Sequence, residues 1–338
     1  MAEPPAWSPE GPTLLLYGGL ERPGRIASKV LDRAFMANRD VRALRSFLAE
    51  HRVRAMLVDF LDGFLRYMPA VQGARVRWYS FGHGFDVSRR LDEPRWLARY
   101  RAHGQAEGVF VRADCIRERL VARVGLDPKR VHVVRGGIDV PDAPLPHPAD
   151  GEVRVLAVGR FMAKKGPLQT LAAFRVALER VPDLRLEMIG DGPLMAQSEQ
   201  YVHEKGLEDR VTLRGAQPPE EVQRALASAH IFVQHSRRDP VTGDEEGLPA
   251  SITEAMAAAL PVVSTRHAGI PEAVREGEEG YLVEEGDVRG MAERIARLAR
   301  DASARQEMGE SGWRRAREMF RWEQEREALL SLMRLEGA

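Results

Sequence analysis

Residues 153–166 read VRVLAVGRFMAKKG, a short apolar run followed directly by a basic turn with a glycine at each end. Further apolar runs of strand length follow at 184–189, 211–213, 231–234, 261–264 and 281–283. Segments with helical periodicity separate them at 167–179, 193–205, 219–228 and 249–259. Short apolar strands that alternate with helices predict a parallel sheet covered on both faces. A sheet of this kind binds ligands in the crevice at the carboxyl ends of its strands.

The N-terminal part shows the same alternation less clearly. Strands are predicted at 13–17, 53–60, 76–81, 108–111 and 131–134, and helices near 26–33, 41–51, 95–103 and 113–123. Four prolines between residues 141 and 148 predict a semi-rigid linker. We therefore predict an α/β protein with an N-terminal Rossmann-like domain at 1–140, a linker at 141–151 and a second Rossmann-like domain at 152–315. A C-terminal helix at 316–338 is expected to pack back toward the first domain.

Length and composition agree with two soluble globular domains. The chain has 338 residues, of which 44% are hydrophobic and 30% charged, and it is long for a single core. No run approaches the roughly 18 apolar residues that suggest a membrane-spanning helix, and residues 1–12 do not resemble a signal peptide. The single cysteine, Cys115, suits a reducing compartment. We expect a cytoplasmic protein.

Charge is unevenly distributed along the chain, although the net charge is zero. Residues 1–150 carry an excess of six positive charges, and residues 151–338 carry an excess of six negative charges. A basic N-terminal part could favour an anionic acceptor or peripheral contact with a membrane surface. Ordinary solvated helix faces explain the same imbalance.

The basic turn at 159–166 follows the strand at 153–158. Gly159 allows a tight turn and close approach of the backbone to a ligand. Arg160 offers a planar fork of donors and Lys165 a compact positive charge, and together they suit a diphosphate. A solvated basic turn without a ligand is an equally good interpretation of these residues alone.

A second group of candidates lies in DEEGLPASITEAMA, residues 244–257. Pro249 fits the first turn of a helix, where its missing N–H costs nothing. Glu246 would then lie in the acidic loop at 244–249 and Glu254 about one turn inside the helix. The helix start favours a phosphate, and the carboxylates could accept hydrogen bonds from sugar hydroxyls. On spacing alone, the favoured interpretation is a Glu246 that only complements the helix dipole and a Glu254 on the surface.

Two further turns follow predicted strands. Residues 190–193 read GDGP, and 81–86 read FGHGFD, in which glycines flank His83. A plain turn explains the first, and the second could present His83 to a ligand. The other histidines lack metal-ligand spacing, so we predict no metal site. The sequence contains no serine triad, Walker loop or nucleic-acid module.

The C-terminal part closely resembles glycosyltransferase family 4, retaining enzymes of the GT-B fold. The resemblance covers residues 153–320 through GRFMAKKG, IGDGP, VTLRG, EEGLPASITEAMAAALPVVST, RHAGIPEAV, GYLVEEGD and MGESGWRRAREMF. The N-terminal part matches more loosely through WYSFGHGFDVSR and VRADCIRERLVARVGLDPKRVHVVRGGID. The combination looks most like enzymes that assemble bacterial exopolysaccharides. GT-B implies two Rossmann-like domains that face each other across a cleft.

The resemblance also implies roles for individual residues. Arg160 and Lys165 would hold the donor diphosphate, Glu246 the transferred sugar, and Glu254 the ribose. His83 would lie across the cleft near the reacting sugar. Further donor contacts are expected at Gly159, Gly192, Gly247, Leu248, Pro249 and Ser251, and acceptor-side contacts at Gly84 and Asp86. The expected co-substrate is a UDP-, GDP- or ADP-linked sugar, the acceptor a carbohydrate or a lipid-linked molecule, and no metal or other cofactor is expected.

Two departures from the family pattern stand out. Ala259 and Ala268 occupy positions where the family usually has glycine, so each would be strained by roughly 1 kcal/mol if its φ is positive. The glycine-rich N-terminal loop of the family has only a weak counterpart at 17–22. Two alternatives on the same fold therefore stay open: a sugar-nucleotide 2-epimerase, and a non-catalytic sugar-nucleotide-binding subunit.

Overall fold

The structure is a computed structural model that describes residues 39–148 and 151–335. The strand predicted at 13–17, the loop at 17–22 and the helix near 26–33 lie outside the described residues. Within the described part, the helices are not long and apolar enough to cross a membrane.

The N-terminal sheet has four described strands, all parallel, in the order β1-β2-β3-β4. Helices cover residues 39–50 (α1) and four later segments between the strands. The elements are β1 (Ala55–Asp59), α2 (Leu61–Phe64), α3 (Met68–Gln72), β2 (Arg77–Gly82), α4 (Pro94–Tyr100), β3 (Gly108–Val111), α5 (Asp114–Val124) and β4 (Val131–Val133).

In the described part of the chain, the C-terminal sheet has six strands, all parallel, in the order β10-β9-β8-β5-β6-β7. The elements are β5 (Val153–Val158), α6 (Pro167–Leu178), β6 (Leu184–Ile189), α7 (Met195–Glu204), β7 (Val211–Leu213), α8 (Pro219–Ser228), β8 (Ile231–Val233), α9 (Ala250–Ala257), β9 (Val262–Thr265), α10 (Ile270–Ala273), β10 (Gly280–Val283), α11 (Val288–Arg300), α12 (Ala302–Met319) and α13 (Trp322–Leu332).

Separate hydrophobic clusters cover the two faces of the C-terminal sheet. One joins Phe174 of α6 and Ile295 of α11 to the strands, and the other joins Met256 of α9 to the opposite face. Both faces are therefore buried, which explains the evenly apolar strands. The predicted parallel α/β architecture is confirmed.

Two local predictions need correction. Pro249 precedes α9 as its N-cap, with φ −66° and ψ 122°, instead of lying in the first turn. The helix-rich C-terminal sequence also predicts a buried stripe of Leu298, Met308, Trp313 and Phe320, of which Leu298, Met308 and Phe320 are buried. Trp313 is only half-buried, because its indole N–H donates to the Pro141 carbonyl in the linker at 2.9 Å.

The strain expected at two alanines is present. Ala259 has φ 58° and Ala268 has φ 46°, both in the left-handed region that favours glycine. Each lies in a loop next to β9.

The last helix, α13, packs against the N-terminal sheet, although α12 packs on the C-terminal half. Leu329 and Met333 contact Tyr79 and Phe110 in a shared hydrophobic cluster. Glu325 accepts hydrogen bonds from Arg112 at 2.5 Å and from the Gly137 N–H at 2.6 Å. The end of the chain therefore links the two halves.

The carboxyl ends of the two sheets meet at a cleft. Residues 83–84, directly after β2, lie against residues 245–247, directly before α9. A Cβ added to Gly247 would lie 2.5 Å from the His83 carbonyl oxygen. The Glu245 N–H donates to Ser88 Oγ at 3.1 Å.

Candidate active site

The basic turn is shaped by the backbone of its last residue. β5 ends at Val158, and a 3₁₀ turn at Ala163–Lys165 leads into Gly166, which has φ 57°. A Cβ on Gly166 would overlap the carbonyl oxygen of His235, at the end of β8. Only glycine fits this position, and the turn therefore directs Lys165 toward the crevice at the ends of β5 and β8.

Glu246 of the acidic loop lies next to the basic turn. Its carboxylate is 3.4 Å from Lys165 Nζ and 3.5 Å from Lys164 Nζ, and its side chain is 13% exposed. Burial alone would raise the pKa of Glu246, but the positive charges of Lys165 and Lys164 outweigh burial and lower it. Glu246 is therefore ionised at neutral pH and holds two cations at the strand ends.

Asp244 and Lys164 extend this cluster beyond the predicted residues. Lys164 Nζ lies 3.1 Å from Asp244 Oδ2 and 3.4 Å from the Glu245 carbonyl oxygen. The buried Asp244 Oδ1 has no hydrogen-bond partner among the described residues, and the buried Glu246 Oε1 has only the long ion pair with Lys164 Nζ at 3.5 Å. Buried acceptors in folded proteins are almost always satisfied, so these two oxygens are available to a ligand with hydroxyl donors.

Glu254 lies on the second turn of α9 and is half-buried. Burial raises the pKa of its carboxyl group, and Lys165 partly offsets this effect. Among the described residues, no side chain caps the start of α9, so the first backbone N–H groups of this helix are available to an anion. Ser251, in the first turn, is already used, because its hydroxyl donates to Gln234 Oε1 at 2.9 Å.

His267 holds the acidic loop by a hydrogen bond to its backbone. Its Nε2 accepts the Glu246 backbone N–H at 3.3 Å, and its Nδ1 lies 2.6 Å from Glu285 Oε1. This pattern requires the neutral tautomer with a proton on Nδ1. The ring is 2% exposed. In the sequence, His267 is one of the histidines without metal-ligand spacing, whereas in the structure it fixes the backbone of Glu246.

The other predicted donor residues line the same crevice. Arg160 is exposed and forms no ion pair with any described residue. Gly192 lies against the basic turn, since a Cβ there would be 2.7 Å from the Phe161 carbonyl oxygen. A Cβ on Gly159 would be 3.5 Å from Lys165 Cδ. Leu248 is half-buried and packs against the cluster around α9.

On the N-terminal side, His83 forms a pair with Asp59. His83 Nε2 lies 2.7 Å from Asp59 Oδ1, and the ring stacks on Phe81 with a centroid distance of 4.8 Å. The hydrogen bond with His83 holds the pKa of Asp59 below its usual value, although burial opposes this. The Asp59 side chain is 67% exposed and remains an acceptor that a ligand can reach.

Asp86 organises the loop after β2. Its buried carboxylate accepts the N–H groups of His83 at 3.1 Å, Gly84 at 3.0 Å and Leu61 at 3.0 Å. Three N–H donors fix the backbone that carries His83. Gly84 lies at the interface, since a Cβ there would be 3.2 Å from the Glu245 carbonyl oxygen.

Arg112 was also absent from the predicted site. It follows β3 directly, its guanidinium lies 4.1 Å from the centre of the Phe81 ring, and it bonds to Glu325. Asp59, His83 and Arg112 thus follow or end three adjacent strands. The rule that ligands bind at carboxyl ends of strands could have identified Asp59 and Arg112.

The described residues contain no group of three or more His, Cys, Asp or Glu side chains arranged to hold a metal ion. The acids around the basic turn are paired with lysines instead.

Comparison with known proteins gives one family. The model of the family described as "Glycosyl transferases group 1" matches residues 145–315. The chain is 33% identical over 288 residues to the amylovoran biosynthesis glycosyltransferase AmsK of Erwinia amylovora, covering 82% of this chain and 67% of AmsK. It is 31% identical to the putative colanic acid biosynthesis glycosyltransferase WcaL of Escherichia coli, covering 63% of this chain and 53% of WcaL. The chain thus spans between about half and two thirds of these relatives.

Among solved structures, Anabaena HepE in complex with UDP superposes with a TM-score of 0.74 at 18% identity, covering 87% of this chain and 81% of HepE. At this identity the likeness concerns the fold. The fold is GT-B, as the family resemblance implies.

Proposed function

Because this chain belongs to the glycosyl transferases group 1 family, we propose that it moves a sugar from a nucleotide-diphosphate sugar to an acceptor hydroxyl. The main support for this proposal is the contact between the basic turn and the acidic loop, where Lys165 Nζ lies 3.4 Å from Glu246 Oε2. Two sequence motifs about 80 residues apart converge there on one crevice at the carboxyl ends of a parallel sheet.

The donor would occupy this crevice with its phosphates next to basic side chains and its hydroxyls next to carboxylates. Arg160 has no partner among the described residues, and Lys165 would exchange Glu246 for a phosphate oxygen. Free N–H groups at the start of α9 add to the attraction for the diphosphate. Glu246 then accepts hydroxyls of the transferred sugar, next to the Gly247 and Leu248 backbone, and Glu254 accepts those of the ribose.

Catalysis would rest on stabilisation of the departing diphosphate. Negative charge grows on the phosphate oxygens as the bond to the sugar breaks, and Arg160 and Lys165 would stabilise that charge. The two cations would take the role that a metal has in other transferases. We propose retention at the anomeric carbon by attack on the face from which the leaving group departs.

The N-terminal side would supply the acceptor contacts. His83 lies across the cleft from Gly247, and the Asp59 carboxylate holds its ring. A fixed imidazole at this place suits contact with the transferred sugar, and the exposed Asp59 suits an incoming hydroxyl. The names of AmsK and WcaL support a place in exopolysaccharide assembly with a carbohydrate or lipid-linked acceptor. A cytoplasmic location, with membrane contact through the basic N-terminal half, belongs to the same proposal.

The test has two stages. A thermal-shift screen of UDP-, GDP- and ADP-sugars identifies the donor, because a ligand that binds only the folded chain raises its melting temperature. Donor turnover with an acceptor panel is then followed for the wild type, Lys165→Ala and the control Lys205→Ala, whose exposed lysine lies on the far end of α7.

We expect transfer to fall by about 10²-fold or more in Lys165→Ala and to stay unchanged in Lys205→Ala. Product analysis should show the sugar joined to the acceptor. An altered free sugar without acceptor would identify an epimerase instead, and tight binding without turnover would identify a non-catalytic subunit.

A further inference from the structure

The N-terminus of α5 is capped by a residue from the other half of the molecule. α5 has no side-chain cap of its own, because its N-cap residue is Ala113. Glu272, before the end of α10, accepts the Asp114 N–H at 2.8 Å and the Cys115 N–H at 3.0 Å. Two N–H groups that a helix start leaves unpaired are therefore satisfied across the cleft.

One turn further along, α5 makes a second contact with the C-terminal half. Arg119 Nη2 lies 2.7 Å from Glu245 Oε2, and the two side chains are only 24% and 13% exposed. Arg238 adds a further contact to Glu245 at 3.4 Å and also pairs with Asp92 of the N-terminal half. Arg123 of α5 completes the network at 2.9 Å from Asp92. A partly buried network of this kind is stronger than an isolated surface pair.

Glu245 and Glu246 are neighbours in the acidic loop, but their closest partners lie in different halves of the molecule. Glu246 pairs with Lys164 and Lys165 of its own half, and Glu245 pairs with Arg119 of the other half. The next residue, Gly247, lies against the His83 carbonyl oxygen. The acidic loop is thus fixed from both sides at the place where the proposed reaction occurs.

We propose that Glu245 is a positioning residue: through Arg119, and with Glu272 at the start of α5, it holds the N-terminal half against the acidic loop so that His83 stays opposite Glu246. Its meaning for catalysis rests on the function proposed above. The Glu245 carboxylate pairs with Arg119 and Arg238, not with Arg160 or Lys165, so its loss should change alignment and leave the proposed diphosphate contacts intact.

Charge reversal tests the pair directly. Glu245→Arg places two arginines face to face, and Arg119→Glu with Glu245→Arg restores an ion pair of reversed polarity. Glu179→Gln is the control, because it removes a carboxylate that pairs with Arg175 at 2.9 Å wholly within the C-terminal half. The first readout is amide hydrogen exchange at Asp114 and Cys115, which reports whether Glu272 remains docked.

We expect exchange at these two amides to rise about tenfold in Glu245→Arg, to return to within about threefold of wild type in the double variant, and to stay unchanged in the control. The turnover number should follow the same order, while the affinity for the free nucleoside diphosphate stays constant. If Glu245→Arg fails to fold, Glu245→Gln gives a milder variant with the same expected direction.

Unchanged exchange in both Glu245 variants, or a double variant no better than Glu245→Arg, would overturn the proposal. The exchange readout needs no donor or acceptor. A wild-type chain without any transferase activity would therefore contradict the proposed function and still leave the docking of α5 open to confirmation.

Discussion

The two sides of the cleft are built differently. On the C-terminal side, the candidate residues lie in continuous motifs in which glycine, proline and charge recur within a few positions. On the N-terminal side, Asp59, His83 and Arg112 come from three separate strand ends. A site that uses backbone N–H groups and tight turns leaves a strong signal in the sequence, whereas a site made of single side chains leaves almost none.

The largest expected effect is a difference in transfer activity between variants on the two sides of the cleft. Glu246→Gln should lower transfer by about 10²- to 10³-fold, because the transferred sugar loses its charged acceptor. Affinity for a free nucleoside diphosphate should hold or improve, since Lys165 loses its competing partner. Asp59→Asn should lower transfer only about tenfold, as a loss of His83 alignment. Steady-state kinetics measure the transfer rate of both variants, and calorimetry measures the affinity for the nucleoside diphosphate. Equal losses would place essential chemistry on the N-terminal side as well.

The second prediction concerns the backbone of the basic turn. Gly166→Ala should destabilise the fold by roughly 3 kcal/mol, from positive φ and overlap with the His235 carbonyl. Gly206→Ala is the matched control: φ is 61° but no atom lies within 4 Å, so the cost should be about 1 kcal/mol. Urea unfolding measures both. Equal costs would mean that the turn relaxes away from β8.

These glycines show why the elements of the C-terminal half could be predicted from the sequence. The strand at 184–189 was predicted with the bounds that β6 has, since apolar runs, glycines and prolines mark the ends of elements locally. The residues that sequence reasoning missed depend on tertiary contacts. Lys164 next to Asp244, and His267 beneath Glu246, join positions between 21 and 80 residues apart. The strand predicted at 53–60 included Asp59, and only its place at the carboxyl end of that strand could have singled it out.

A third, smaller effect is the pH dependence of nucleotide binding. Burial raises the pKa of Glu254 above its ordinary value of 4.5. As the pH falls toward that raised pKa, Glu254 is protonated before an ordinary glutamate, and the acceptor that we propose for the ribose hydroxyls is lost. Calorimetry between pH 7 and 5 should show weakening affinity in wild type and a flatter profile in Glu254→Gln.

The stability of the fold depends on pH in the opposite direction from nucleotide binding. A raised folded-state pKa means that ionisation of Glu254 costs stability as pH rises through the window between the ordinary and the raised value. Glu254→Gln should therefore melt at a higher temperature than wild type at neutral pH, and the difference should shrink in acid. A lower melting temperature at neutral pH would contradict the burial of this carboxylate.

The smallest expected effect concerns the strained alanines. Ala259→Gly and Ala268→Gly should each stabilise the fold by up to about 1 kcal/mol, because glycine tolerates their positive φ. Ala196→Gly, within α7, is the control and should destabilise by about 1 kcal/mol. Chemical denaturation distinguishes these signs. Loss of stability at both strained positions would mean that the methyl groups contribute more by packing than the backbone strain costs.

A crystal structure of the chain with its nucleotide sugar tests the central claim most directly. The account predicts the diphosphate within hydrogen-bond distance of Arg160 and Lys165, the sugar hydroxyls on Glu246 and the ribose on Glu254, with His83 facing the sugar. A nucleotide bound away from the crevice at the ends of β5 and β8, or one whose phosphates touch neither Arg160 nor Lys165, would contradict it.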